Sequence, residues 1–369
     1  MPRNRQKSNA TRSRTRAGWL HGRPWTGWLH GRRWTGWLAV TLATWTLASP
    51  AAGQTVLDTW TSAHHFGGAG HTEPSDRLFL LNLRDQPSDL CRLRLPTRPR
   101  ISRLDRCGRQ QPITWEDFCG TCADDRTLVI YVHGNRMTPR AAIQRGLYVY
   151  HNSRPRHSRP LDFLIWSWPS EKQGLLGKDV RLKARRTDGQ GLLLADFLRQ
   201  HGLSGRPVVL IGFSFGGRVI TGALHTLAGG SLRGFGLDFG ASADGIANPG
   251  IQGAGFRVGL IAPAIERDWM TRHGYHGLAT KNLESLSVLY NRRDAVLKRY
   301  WLIDRVRGQL ALGFTGPRRF APRFDGSPLE TFARDCSTVV GLQHAEVDYY
   351  TADCRAGEEM ARLIASASE

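Results

Sequence analysis

Val208-Val209-Leu210-Ile211-Gly212-Phe213-Ser214-Phe215-Gly216-Gly217 decides how the rest of the chain is read. Four consecutive aliphatic residues have the length and composition of a strand buried on both faces, and residues 217–227 carry helical periodicity without proline. Between them sits Gly-x-Ser-x-Gly. A serine on so sharp a strand-to-helix turn adopts strained backbone angles, and glycines two positions before and after it remove side chains that would collide there. The hydroxyl is then expected at the C-terminal edge of the sheet. In a chain with 41 glycines the five-residue pattern alone also fits a glycine-rich turn with a structural serine. The flanking strand and helix are what give Ser214 the reading of a nucleophile.

Outward from this stretch, short apolar runs alternate with helical segments from about residue 127. Runs at 127–132, 161–166, 207–211, 256–261, 286–290 and 337–341 predict six strands, and residues 139–150, 180–201, 217–227, 294–305 and 356–367 predict helices. Such alternation implies an α/β fold, a mostly parallel sheet with helices on both faces. Residues 77–83 and 91–95 are expected as antiparallel N-terminal edge strands. The chain therefore divides into a leader at 1–53, an N-terminal extension with edge strands at 54–126, and an α/β core at 127–369. With 40% hydrophobic residues and 12 Trp it can bury a substantial core.

Acyl-transfer chemistry at Ser214 needs further parts. Backbone amides must meet an oxyanion, and the candidates are Phe215, directly after the serine, and Asn135, in His133-Gly134-Asn135-Arg136 at the end of a predicted strand. His133 reads first as a brace for that loop, with a catalytic role as the alternative, and is counted with the residues that line the substrate pocket. Chain order in this architecture puts the acid after the serine and the histidine last. His344 is the one histidine beyond Asp294, three residues past the expected strand at 337–341, and is the candidate base. Asp294 follows the strand at 286–290 and fills the acid slot; its bland reading is a helix N-cap, and Asp335 and Asp304 are the fallback acids. Trp168 and Ser170 of Trp166-Ser167-Trp168-Pro169-Ser170, together with Phe213, are expected to shape the pocket, although Trp168 suits core packing equally. Residues 229–255, with nine glycines, read either as a flap over the site or as a surface loop.

Taken together, residues 77–350 resemble the α/β-hydrolase superfamily, in particular a bacterial group with a His-Gly oxyanion loop, a Trp-Pro-Ser motif and a Ser-Asp-His triad. The resemblance is carried by His133-Gly134, the turn around Ser214, Trp168-Pro169-Ser170, Val288-Leu289-Tyr290 ahead of Asp294, and His344 followed by Tyr349-Tyr350. It implies a serine esterase working through an acyl-enzyme on a small or lipid-like acyl substrate, without a cofactor. Many relatives carry a histidine before the nucleophile; this chain has Phe213.

The formal charge of +20 raises the question of an anionic partner. Nine basic residues precede residue 34, no acid appears before Asp58, and all but six of the 51 basic residues are Arg, a skew that points to composition rather than to a binding surface. No nucleic-acid recognition module is visible, so no nucleic acid is expected as partner. The basic start, the apolar run at 34–48 and the small residues of Ser49-Pro50-Ala51-Ala52-Gly53 read as a cleaved export signal, with an uncleaved membrane anchor as the alternative. A nine-residue duplication, Gly18–Thr26 repeated as Gly27–Thr35, falls in this leader and reads as slippage. Six cysteines agree with an oxidising destination, and pairing by proximity gives Cys91–Cys107, Cys119–Cys122 and Cys336–Cys354, the last stapling the segment that carries His344. Cys119-Gly120-Thr121-Cys122 has no strand leading in, which favours a structural disulfide over a redox motif, and no metal site is expected. Two other classes stay open: a non-catalytic protein of this fold that binds or scaffolds at the envelope, and a binder of anionic polymers or membrane surface through Arg92, Arg94, Arg98, Arg100 and Arg103.

Overall fold

The strand that leads to Ser214 lies in the middle of a nine-stranded sheet of order β3-β2-β1-β5-β4-β6-β7-β8-β9. The computed structural model describes residues 76–87, 89–121, 126–155, 159–174, 176–203, 205–240, 250–303, 309–351 and 353–368; the leader, its duplication, the expected anchor and residues 54–75 lie outside them. Strands β1 (Arg77–Asn82), β4 (Thr127–Val132), β5 (Leu161–Ser167), β6 (Val208–Phe213), β7 (Phe256–Ile261), β8 (Leu283–Tyr290) and β9 (Glu330–Asp335) are mutually parallel. Two short antiparallel strands, β2 (Arg100–Leu104) and β3 (Gln110–Pro112), close one edge. Every residue of β4, β5 and β6 is buried, as expected of strands covered on both faces.

The register assigns the helices to their faces. Ile165, Tyr131, Ile211 and Gly259 are successive cross-strand partners and point to one side, while Trp166, Val132, Gly212 and Leu260 point to the other. On the first side lie α2 (Pro139–Ser153), whose Gly146 sits on Ile165, and α7 (Ala356–Ala367), whose Met360 and Leu363 meet Gly259. On the second lie α3 (Leu176–Phe197), where Gln190 accepts a hydrogen bond from the Trp166 indole at 3.0 Å, and α4 (Phe215–Leu227), whose Gly217 faces Leu260. Among the described residues there are also three short α-helices, α1 (Trp115–Thr121), α5 (Leu312–Thr315) and α6 (Ser337–Val340).

Three expectations fail, each for a local reason. Residues 91–95 form no strand, because Asp89 closes a turn there by accepting from the amides of Cys91, Arg92 and Leu93; the antiparallel edge is built by β2 and β3 instead, and β1 is an interior strand parallel to β5. Residues 337–341 are the helix α6, not a strand. Asp335 Oδ1 accepts from Ser337 N at 2.9 Å and starts the helical turn, while the true edge strand β9, Glu-Thr-Phe-Ala-Arg-Asp, is too polar and too exposed to stand out as an apolar run. The helix expected at 294–305 shrinks to a 3₁₀ turn, Leu297–Leu302, within the described residues.

The cysteines divide. Cys336 and Cys354 form a disulfide, both side chains buried, whereas Cys91, Cys107 and Cys119 are exposed thiols. The expected Cys91–Cys107 bridge is therefore absent: Cys91 belongs to the Asp89 turn and Cys107 to the turn between β2 and β3, each presenting its side chain to solvent. Cys122 lies outside the described residues. The bond that does form spans 18 residues and encloses His344. Replacing both Cys336 and Cys354 with Ser is expected to cost about 3 kcal/mol by the loop-closure argument, read as a fall in Tm of several degrees, and reduction of the unmodified protein should reproduce it. An unchanged Tm in either case would remove the staple from the account.

Candidate active site

Ser214 occupies the sharp turn between β6 and α4 with φ 52° and ψ −115°, a strained conformation for a residue with a side chain. Backbone contacts enforce it: Ser214 N donates to Ile261 O at 2.9 Å, and its carbonyl accepts from Gly217 N at 3.1 Å and Ala264 N at 3.0 Å. The two flanking glycines are required by contact. A Cβ on Gly212 would lie 2.8 Å from Gly217 N, and one on Gly216 would lie 1.9 Å from Val132 O. The second contact also places the end of β4 directly against the first turn of α4.

His344 comes to this turn from the far end of the chain. Its Nε2 lies 2.9 Å from Ser214 Oγ and its Nδ1 lies 2.6 Å from Asp294 Oδ2. Asp294 is fully buried, and its Oδ1 accepts from Val296 N and Leu297 N, both at 2.8 Å. A carboxylate that already accepts two amide protons takes the Nδ1–H as its third donor, which fixes the ring with Nε2 facing the serine hydroxyl. The two readings of Asp294 thus hold at once, one oxygen capping the following turn and the other fixing the imidazole.

Because 337–341 is helical, His344 stands nine residues beyond the end of β9 rather than three past a strand, and other contacts position it. Asn291, directly after β8, donates from Nδ2 to Gly341 O at 2.8 Å, and Ala295 N donates to Leu342 O at 3.1 Å. Cys336 N donates to Tyr290 O at 2.8 Å, so the foot of the disulfide is fixed to the strand that delivers Asp294. Asn291 was not singled out from the sequence, since an asparagine after a strand is also an ordinary turn former. Asp335, the exposed last residue of β9, is paired with Arg292 at 3.3 Å and lies apart from the imidazole's hydrogen bonds; Asp304 lies outside the described residues.

Phe215 opens α4, so its amide has no carbonyl four residues back to serve within the helix. Asn135 follows β4 in the loop that abuts that turn; its Oδ1 accepts from Arg136 N at 2.9 Å, and its amide has no backbone acceptor among the described residues. Both candidates therefore carry amides that secondary structure does not consume, that of Phe215 directly after Ser214 and that of Asn135 in the loop after β4, whose start abuts Gly216.

Of the four residues expected in the pocket, three are braces. His133, Trp168 and Ser170 have no exposed surface. The Trp168 indole N–H donates to His133 O at 2.8 Å, Trp168 N donates to His133 Nε2 at 3.3 Å, and the two rings stack with centroids 5.6 Å apart. Burial lowers the His133 imidazole to a pKa of about 3, so it stays neutral and acts as an acceptor in this arrangement. Ser170 accepts at its carbonyl from Arg136 N at 2.7 Å and at Oγ from Met137 N at 3.1 Å, which ties the loop after β5 to the loop carrying Asn135. Phe213 alone of the four touches the reacting groups: its ring lies 5.1 Å from the His344 ring and fills the space beside Gly134.

The glycine-rich segment is anchored away from the site at its described ends. Ile251 N donates to Leu227 O and Gly253 N to Lys281 O, both at 2.8 Å, at the end of α4 about 20 Å along the helix from Ser214; residues 241–249 lie outside the described residues. Among the described residues no group of three His, Cys, Asp or Glu is placed to hold a metal ion.

A strained serine after a central parallel strand, with an acid after β8 and a histidine beyond β9, settles the architecture. The fold is the α/β-hydrolase fold. The family described as "Protein of unknown function (DUF726)" matches residues 168–235, a span that includes α3, β6, the Ser214 turn and α4. Several solved structures are similar to the chain at low identity, esterases among them. They include an inhibited esterase B from Lactobacillus rhamnosis (14% identity, 87% of this chain and 94% of that one, TM-score 0.38) and a bacterial heroin esterase (10%, 86% and 90%, TM-score 0.36). A butyrate-bound esterase from the planctomycete Thermogutta terrifontis is also similar (11%, 73% and 89%, TM-score 0.30). No curated protein matches the chain at a significant level.

Proposed function

We propose that the chain is an exported serine hydrolase of carboxylesterase type that acts on a small or lipid-like acyl substrate. The observation that carries this reading is the unbroken hydrogen-bond relay from Ser214 Oγ through His344 to the buried Asp294. His344 Nε2 takes the hydroxyl proton as Ser214 Oγ attacks the carbonyl, and Asp294 offsets the positive charge that appears on the imidazole. The tetrahedral oxyanion is met by the amides of Phe215 and Asn135. Collapse expels the alcohol, which takes its proton from the imidazolium; water, activated in turn by His344, then releases the acid from the acyl-enzyme. Phe213, packed against the imidazole and the Asn135 loop, forms an apolar wall beside the reacting carbonyl. Export is supported by the leader and by the Cys336–Cys354 disulfide, a bond that persists in oxidising compartments.

A panel of p-nitrophenyl esters of increasing acyl length tests the assignment. Turnover is expected with at least one ester and is expected to be lost in Ser214→Ala with Tm unchanged. Equal turnover in the variant, or none with any ester, thioester or amide, would reject it.

A further inference from the structure

Two residues beyond His344 the chain buries an acid that the relay does not use. Glu346 is 2% exposed and sits at the start of the 3₁₀ turn Glu346–Tyr350. Its Oε2 accepts from the Tyr131 hydroxyl at 2.8 Å and from Arg145 Nη1 at 3.4 Å, while its Oε1 has no partner among the described residues. Tyr131 belongs to β4, two residues before His133, and Arg145 to α2; the acid thus ties the turn after His344 to the strand that carries the oxyanion loop.

We infer that Glu346 is a positioning residue for His344, holding the turn that presents the imidazole to Ser214 and supplying a buried negative charge that favours the imidazolium formed during attack. This deepens the triad reading and rests on it. Packing alone would be met by a glutamine, which can accept from Tyr131 without a charge to desolvate. The ionised acid is costly here: burial raises the Glu346 carboxyl to about 7, against the pull of Arg145, Tyr131 and a positive His344, which favour ionisation.

The groups that act on this acid are Tyr131 from β4, Arg145 and Tyr148 from α2, and His344 and Tyr350 from the same segment, while Asp348 faces Arg145. The part of α7 packed here is the uncharged Ala356-Gly357, whose Gly357 touches Asn152 and Tyr350. Arg145 is thus the cation set against this acid, and the imidazolium of His344 is the second positive charge that the acid meets when the reaction proceeds.

The test compares the full chain with Glu346→Gln across pH, using kcat, KM and the rate of fluorophosphonate labelling. The ratio of wild-type to variant kcat is expected to be less than about twofold at pH 5.5, where the wild-type acid is protonated, and to rise to about tenfold at pH 8, with KM unchanged. Tyr131→Phe should lower kcat about threefold at pH 8, and the double variant should be no slower than Glu346→Gln alone. Stability gives a readout independent of turnover. A carboxyl whose folded pKa lies above its ordinary 4.5 contributes stability that is present below that value and lost as pH rises through about 7, so the Tm of wild type relative to Glu346→Gln should fall between pH 5 and pH 8. A kcat ratio that stays constant with pH, whatever its size, would reduce Glu346 to packing and overturn the inference. Labelling that persists in Ser214→Ala overturns it too, and that control identifies the site reading rather than Glu346 as the point of failure.

Discussion

Replacing His344 with alanine is expected to lower kcat for a short-chain aryl ester by at least about 10³-fold while leaving KM within a few fold. The magnitude follows from what is removed. Without the imidazole the Ser214 hydroxyl has no acceptor for its proton, and the charge on Asp294 is left facing an empty space. The proposed oxyanion donors, the amides of Phe215 and Asn135, would remain, so residual turnover above the uncatalysed rate should persist. The loop itself should stay in place, because Asn291 holds Gly341 and Ala295 holds Leu342 through the backbone, not through the imidazole. A circular-dichroism spectrum and Tm close to wild type would separate loss of chemistry from loss of fold. Turnover within tenfold of wild type would remove His344 as the base.

The second large effect comes from a single methyl group. Gly216→Ala places a Cβ 1.9 Å from Val132 O and 2.8 Å from Val132 C, both backbone atoms at the end of β4. Alanine is favoured over glycine in a helix by about 1 kcal/mol, which would argue for stabilisation in the first turn of α4. The collision outweighs it, because neither the central strand nor the helix can yield without parting the Ser214 turn from the Asn135 loop. A displacement of about 1 Å between nucleophile and oxyanion donors is expected to reduce kcat by about 10²-fold or more, together with a fall in Tm. Gly120→Ala in α1 makes a suitable control, since a Cβ there meets nothing within 4 Å and its φ is ordinary. Near-normal kcat in Gly216→Ala would mean that the close approach of the two elements does not govern the site.

The parts of this arrangement that could be read from the sequence are those encoded locally. Val208 to Gly217 declares a buried strand, a sharp turn flanked by glycines at 212 and 216 that tolerate no side chain, and a helix, and each appears in the fold as read. The helix at the C-terminus has the expected bounds because its apolar positions recur with helical spacing. The strand β9 was missed since its polar, half-exposed residues gain their place only by pairing with β8, and Val339-Val340 drew the reading to the wrong segment. His133, Trp168 and Ser170 were expected partly as pocket residues; which side of a loop a side chain faces is decided by its partners, and here those partners are one another. Asn291 and Glu346 left no local signal at all. Their roles arise from contacts with segments 50 and 215 residues away, and nothing in the flanking residues encodes such pairings.

The central claim is that Ser214 is a nucleophile activated by His344. Intact-mass analysis after exposure to a fluorophosphonate, followed by mapping of the modified peptide, tests it most directly. One adduct per chain located on Ser214, absent from Ser214→Ala and formed far more slowly in His344→Ala, is the predicted result. An unmodified chain under conditions that label a known serine esterase, or an adduct on any other residue, would contradict the account.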